Sequence, residues 1–181
     1  MGFKSFVLFF HERRRSFATA MTSPTESWCM LDSVLDRLTH RQPTTNRVGL
    51  FVDGPNVFRT EFDVDLADLR EAVAPMGLLA ISRLYLNEHA TPGLIQAAEA
   101  HGFEVVITSG DVDVKLAIDA TAAIAEGRLD IVAIASRDTD FKPVLEYAGR
   151  QGLETVAIAP GEHGRSDALQ AVANTAFTLE E

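Results

Sequence analysis

Short hydrophobic runs alternate with longer segments of helical periodicity through most of the chain after residue 47. The runs are apolar almost throughout, which favours strands that are buried on both faces of a parallel sheet. The segments between them repeat apolar residues at helical spacing, so we expect helices on both sides of that sheet. The predicted strands cover residues 48–52, 79–86, 103–108, 131–135 and 155–159, with a short last strand at 176–179. The predicted helices cover residues 66–74, 92–101, 112–126, 141–151 and 166–173.

This alternation predicts one α/β domain over residues 47–181, a three-layer α/β/α sandwich around a mainly parallel sheet. Residues 1–46 form an N-terminal extension that we expect to be partly disordered, with one short amphipathic helix. The apolar face of that helix consists of Met30, Leu31, Val34, Leu35 and Leu38. No run approaches the roughly 18 apolar residues of a membrane span, so we expect no membrane association.

Charge is unevenly distributed along the chain. The net charge is −10, and residues 48–181 alone hold nine Lys/Arg against twenty-two Asp/Glu, a net −13. Such a domain is a poor electrostatic partner for a phosphate backbone, unless some of its acids bind divalent metal. The remaining acids, with three lysines against thirteen arginines, resemble the surface of halophilic archaeal proteins, whose high salt would screen repulsion from nucleic acid. The single cysteine, Cys29, excludes a disulfide framework, and we expect a cytoplasmic protein.

Acidic residues follow several of the predicted strands. Asp53 ends the first strand, Asp111 and Asp113 follow the third, and Asp138 and Asp140 follow the fourth. Because the carboxyl ends of parallel strands meet at one edge of a sheet, we expect these carboxylates to converge there. Carboxylates that are forced together repel unless a cation lies among them, and oxygen ligands suit Mg²⁺ or Mn²⁺. The sequence therefore predicts a metal site able to activate water for attack at phosphorus.

Three blocks of sequence, in order, resemble the signature blocks of NYN domains, which are PIN-like folds related to the flap-type nucleases. The blocks are Val52-Asp53-Gly54-Pro55-Asn56, residues 112–120 and residues 136–141. The resemblance covers roughly residues 48–179 and is nearest to archaeal NYN proteins. It implies a sheet order of 3-2-1-4-5 and a Mg²⁺- or Mn²⁺-dependent endoribonuclease. It also implies single-stranded RNA as substrate, and pairing into a homodimer, since PIN-like domains often pair.

The resemblance also assigns roles to individual residues. Asp53, Asp113 and Asp138 are expected to bind metal directly, and Asp140 to bind it directly or through water. Asn56 is expected to orient a water or a phosphate oxygen. Ser136 is expected to donate a hydrogen bond to a metal ligand or a phosphate. Lys115 and Arg137 have the position for phosphate contacts, which Arg59, Lys142 and Arg165 share.

Each of these residues also has an ordinary structural explanation. Asp53 could start the turn before Pro55, and Asp113 would be stabilised by a helix N-terminus without metal. Asp138 and Asp140 could cap the following helix, and for Asp111 capping is the favoured interpretation. Asp119 lies about 120° around its helix from Asp113, so we expect it either to support a metal ligand without binding the ion or to serve the structure alone. For Phe58 and Phe62 packing is favoured over base stacking, and His163 is expected to be an exposed loop residue.

Two other functions remain open from the sequence. A non-catalytic RNA-binding or regulatory module could keep the same acidic pocket, and the scarcity of basic residues favours it. The pair Asp138 and Asp140 is similar to the acidic pair of phosphatases of the haloacid dehalogenase type. Those enzymes place the pair after the first strand of the core, whereas here it follows the fourth.

Overall fold

The computed structural model describes residues 45–58, 64–161 and 166–179. The predicted helix around residues 30–38 lies outside the described residues. The same holds for the candidate residues Arg59, Phe62, His163 and Arg165.

Six parallel strands form one sheet in the order β3-β2-β1-β4-β5-β6. The predicted α/β fold and the order 3-2-1-4-5 are confirmed, and the candidate last strand extends the sheet beyond β5. The strands are β1 (Arg47–Asp53), β2 (Leu78–Asn87), β3 (Glu104–Thr108), β4 (Ile131–Ala135), β5 (Glu154–Ala159) and β6 (Thr175–Thr178).

Helices cover both faces of the sheet. They are α1 (Gly54–Val57), α2 (Leu66–Val73), α3 (Pro92–Ala100), α4 (Val112–Ala125), α5 (Lys142–Arg150) and α6 (Asp167–Val172). Helices α2, α3 and α6 begin at the capping residues Asp65, Thr91 and Ser166, whose side chains accept from a backbone N–H in the first turn.

The sheet separates two hydrophobic cores. One core lies under α2 and α3 and includes Leu50, Leu69 and Leu84, and the other lies under α4, α5 and α6 and includes Phe51 and Leu116. Burial of each such side chain stabilises the fold by roughly 1.5–3 kcal/mol. The central strands β1 and β4 are buried on both faces, since α-helical layers cover each side. This explains why their sequences show no alternation of polar and apolar residues.

The point at which the strand order reverses lies between β1 and β4. From β1 the chain moves outward to β2 and β3, and α4 then returns it to β4 on the other side of β1. In open α/β sheets the loops diverge at such a point, and ligands bind there, which here means the carboxyl ends of β1 and β4. No helix in the described part of the chain is long and apolar enough to cross a membrane.

Candidate active site

Asp53 is the last residue of β1 and its side chain is completely buried. Its Oδ2 atom accepts hydrogen bonds from Ser136 Oγ and Asn56 Nδ2, each at 2.7 Å. Its Oδ1 atom is buried and has no hydrogen-bond partner among the described residues. A buried acceptor in that state is costly, more so on a charged group, which is why such atoms in proteins usually meet a ligand or water.

The turn that follows Asp53 brings Asn56 back to it. Helix α1 starts immediately after β1, with Pro55 in its first turn, so Asn56 lies one helical turn from Asp53. Gly54 permits this tight exit from the sheet. A Cβ atom at that position would lie 2.4 Å from Leu86 Cδ2 and 2.6 Å from the Tyr85 carbonyl oxygen. The carbonyl belongs to the backbone of β2 and cannot move aside, so the close approach of α1 to β2 requires glycine.

The residues that follow β4 supply the remaining hydrogen-bond contacts around Asp53. Ser136 is buried, donates to Asp53 Oδ2, and accepts from the backbone N–H of Asp138 at 3.0 Å. Asp138 Oδ1 in turn accepts from the backbone N–H of Asp140 at 2.9 Å, which starts the turn Thr139–Phe141. Asp138 therefore caps this turn, which agrees with the alternative interpretation of Asp138 as a capping residue. The turn also holds Asp138 close to the buried carboxylate of Asp53.

Electrostatic repulsion couples the four candidate carboxylates. Burial raises the pKa of Asp53, and the charge of Asp138 raises it further, although the hydrogen bonds from Ser136 and Asn56 oppose this. At the start of α4, burial and then repulsion from Asp53, Asp138, Asp111 and Asp140 raise the pKa of Asp113 to about 6. Asp111 occupies the N-cap position of α4, but its side chain makes no capping hydrogen bond. The predicted N-cap position of Asp111 is therefore confirmed, but its side chain does not form the capping hydrogen bond.

The donor atoms of this cluster suit a divalent cation. They are carboxylate oxygens, one of them buried without a partner, and a cation would relieve the repulsion that raises the pKa of Asp113. As the side chains stand, no three Asp, Glu, His or Cys residues of the described chain lie close enough together to hold one ion. Mg²⁺ keeps several water ligands and is commonly bound by only one or two carboxylates directly. The residues therefore fit an ion bound partly through water or after small side-chain rotations.

The nearby cations are mostly engaged with acids. Lys115 Nζ lies 2.7 Å from Asp119 Oδ1, four residues along α4, and Tyr85 donates to the other oxygen of Asp119 at 3.1 Å. Asp119 thus has structural partners on α4 and β2. Lys142 lies 3.7 Å from Glu146 on α5. Arg137 forms no ion pair with any described residue, and it directly precedes Asp138 in the chain.

The raised pKa of Asp113 predicts how the metal-free protein responds to pH. Between the ordinary value of 3.8 and about 6, folded Asp113 keeps a proton that the unfolded chain has lost. The contribution of Asp113 to stability is therefore fully present below about 4 and is lost as pH rises through about 6. We expect the variant Asp113→Asn to gain stability relative to wild type as pH rises over this range, measured by urea unfolding in EDTA.

Asp130 supplies a control of opposite sign. Asp130 lies at the amino ends of the strands, away from the acidic cluster. Hydrogen bonds from Arg47 lower the pKa of Asp130, whose carboxylate lies 3.0 Å from Arg47 Nε. Asp130→Asn should therefore lose stability relative to wild type as pH rises, and the difference should vanish in acid. If Asp113→Asn followed the same trend as Asp130→Asn, the repulsion described for the cluster would be refuted.

Comparison with known proteins identifies the fold and the family of the chain. A crystal structure of a protein of unknown function from Vibrio parahaemolyticus has the same fold, with a TM-score of 0.68, 18% identity, and 78% of this chain and 97% of that chain covered. An uncharacterised protein of Methanocaldococcus jannaschii is 36% identical over 157 residues, which is 85% of this chain, and the chain spans 65% of that protein's length. Residues 47–180 match the family model of the NYN domain. The chain therefore belongs to the NYN domain family, which is part of the PIN-like nuclease superfamily.

Proposed function

We propose that this protein is a Mg²⁺- or Mn²⁺-dependent endoribonuclease that hydrolyses single-stranded RNA at the carboxyl ends of β1 and β4. The observation that carries the proposal is Asp53, a fully buried carboxylate with one oxygen unpartnered and with the charges of Asp113 and Asp138 coupled to it. A fold does not retain such an arrangement for stability, because burial and mutual repulsion both disfavour it. Membership of a nuclease superfamily makes phosphodiester hydrolysis the chemistry to test first.

The chain's own residues divide into ligands and positioning groups. Asp53, Asp113, Asp138 and Asp140 would hold the cation. Ser136 and Asn56 fix the Asp53 carboxylate through Oδ2, so that Oδ1 is the oxygen that remains for a ligand. Bound there, a divalent cation supplies an acidified water and stabilises negative charge that develops on the phosphate.

The acidic surface restricts how RNA could bind. A domain with a net charge of −13 repels a phosphate backbone at low salt, so that most of the affinity must come from few basic contacts and from base contacts. Arg137 directly precedes Asp138 and forms no ion pair with a described acid, so it could contact one phosphate of the RNA. Ser136 already donates its hydroxyl hydrogen to Asp53 and is not expected to contact a phosphate. Lys115 could reach a phosphate only by exchanging its contact with Asp119.

A second candidate is an RNA-binding or regulatory module without catalysis. The scarcity of basic residues favours it, because the domain has few contacts with which to hold RNA for cleavage. The absence of three convergent carboxylates among the described residues also favours it, because hydrolysis needs an ion held firmly. The two candidates differ in one observable, the appearance of cleaved products.

The test is cleavage of end-labelled single-stranded RNA by the full chain with Mn²⁺, at ordinary and at high KCl concentration. We expect internal cuts that require the metal and that disappear with EDTA. Duplex RNA and single-stranded DNA of the same sequence serve as matched substrates. Binding without products in either salt, on several unrelated RNAs, would instead establish the non-catalytic module.

A further inference from the structure

A cleft follows the outer edge of β2 in the amino half of the sheet. β2 has ten residues, but β3 pairs only with its second half, from Arg83 onward. Beside the first half of β2 no described strand continues the sheet, and a cavity of about 380 Å³ lies there. The cleft follows residues 79–83 of β2, whereas Asp53 is level with Tyr85, nearer the carboxyl end of that strand. The cleft is therefore separate from the acidic cluster.

The cleft collects positive charge within an acidic domain. Residues 48–181 hold nine Lys/Arg against twenty-two Asp/Glu, yet three of the nine, all arginines, line this one cavity. They are Arg70 on α2, Arg83 on β2 and Arg128 in the loop before β4. Among the described residues that line it, Glu104 is the one acid. This concentration of guanidinium groups favours an anionic ligand.

We propose that the cleft binds a phosphate group, either as free inorganic phosphate or as part of a small phosphate ester. Guanidinium groups are planar and bind phosphate oxygens through paired N–H donors. The volume exceeds that of a single phosphate and lies in the ordinary range of small-molecule pockets, so an organic group also fits. The proposal does not depend on the nuclease activity, because it concerns other residues and needs no divalent cation.

The arginines keep N–H donors for such a ligand. Arg70 Nη1 donates to the Gly102 carbonyl oxygen at 3.0 Å, and Arg70 forms no ion pair with a described acid. Arg83 Nε donates to Glu104 at 2.8 Å, and Arg83 Nη1 lies 3.7 Å from Asp119. Since a guanidinium group has five N–H donors, these contacts leave part of each group for a phosphate.

The acids that pair with these arginines are easily displaced. The side chain of Glu104 is 62% exposed. Arg128 Nε lies 2.6 Å from Glu126 Oε2, and both of these side chains are 55% exposed. Exposed ion pairs of this kind contribute little to stability. A phosphate dianion carries twice the charge of a carboxylate, so it can replace these acids in the cleft.

A serine in the cleft also lacks a partner. Ser82 lines the cavity, and its Oγ atom is buried with no hydrogen-bond partner among the described residues. A buried hydroxyl in that state is costly, and an oxygen of a bound ligand or an ordered water would satisfy it. Ser82 therefore supplies an uncharged hydrogen-bonding group next to the guanidinium group of Arg83.

The test is isothermal titration calorimetry on the full chain in EDTA, at an ionic strength fixed with KCl. EDTA prevents phosphate from binding through a cation at the acidic cluster. The probes are inorganic phosphate and ribose 5-phosphate, with ribose as the uncharged control. We expect both phosphates to bind and ribose not to bind. Tighter binding of ribose 5-phosphate would identify an ester as the ligand, and tighter binding of inorganic phosphate would identify the free anion.

Substitutions locate the site. Arg70→Gln should weaken phosphate binding about tenfold, because it removes one charged donor group from the cleft. Arg150→Gln is the matched control, since Arg150 is exposed in the last turn of α5 and does not line the cavity. Equal affinities for these two variants, or no binding of either phosphate to the unsubstituted chain, would overturn the proposal.

A second measurement needs no variant. Nuclear magnetic resonance spectra of the unsubstituted ¹⁵N-labelled chain are recorded during the phosphate titration. Shifts of the Nε–H signals of Arg70 and Arg83, and of the backbone amides of residues 79–83, support the cleft as the site. Shifts confined to other segments overturn it. Neither result involves RNA, so a failure of this inference is distinguishable from a failure of the proposed nuclease activity.

Discussion

Asp53→Asn removes RNA cleavage, by about three orders of magnitude or more, while the fold and most of the RNA affinity remain. Asparagine keeps the size of the side chain and one oxygen that accepts from Ser136 and Asn56. It replaces the buried, unpartnered Oδ1 with an NH₂ group and removes the negative charge. An amide is a weak ligand for Mg²⁺ or Mn²⁺ compared with a carboxylate. The ion would then lose the ligand that the fold holds most firmly.

The measurement is the rate of single-turnover cleavage in Mn²⁺, together with circular dichroism and RNA affinity of the same preparations. Asp68→Asn is the matched control. It makes the same chemical change on the exposed face of α2, away from the cluster, and should cleave at the wild-type rate. Full activity of Asp53→Asn would exclude Asp53 as a metal ligand.

The main features of the fold were predictable from the sequence because burial dictates them. A strand such as β4, buried at every residue, is apolar throughout, and its alternation with helices specifies a parallel sheet. The edge at which Asp53, Ser136 and Asp138 meet follows from strand direction alone. The register that pairs Val52 with Ala135 then brings the next residues, Asp53 and Ser136, into hydrogen-bonding distance.

Other parts of the site depend on side-chain partners that no spacing reveals. Sequence places Lys115 within the acidic block, yet it pairs with Asp119, because residues four apart on a helix are neighbours. The unpartnered state of Asp53 Oδ1 depends on where Ser136 and Asn56 approach, which is a matter of rotamers.

The second large expected effect is a gain in the free energy of unfolding when Asp53 is replaced in the absence of metal. In EDTA, at about pH 8, Asp53→Asn should be more stable than wild type by roughly 1–3 kcal/mol. Wild type buries a charged oxygen without a partner, among carboxylates that repel it, and burial raises the pKa of Asp53 for that reason. The amide carries no charge, and its N–H groups can donate to the neighbouring carboxylates.

Metal should reverse that order. A ligand that binds only the folded state stabilises it by about 2.7 kcal/mol at a hundred times its dissociation constant. Wild type should therefore gain stability on addition of Mn²⁺, while Asp53→Asn gains little, and urea unfolding with and without the ion measures both. Asp68→Asn should follow wild type in each condition.

Equal gains for wild type and Asp53→Asn would mean that the ion binds elsewhere, and a less stable Asp53→Asn in EDTA would mean that the buried carboxylate serves the fold itself. The predicted crossing of the two stabilities distinguishes a carboxylate kept for a ligand from one kept for the structure, and it does so without any substrate.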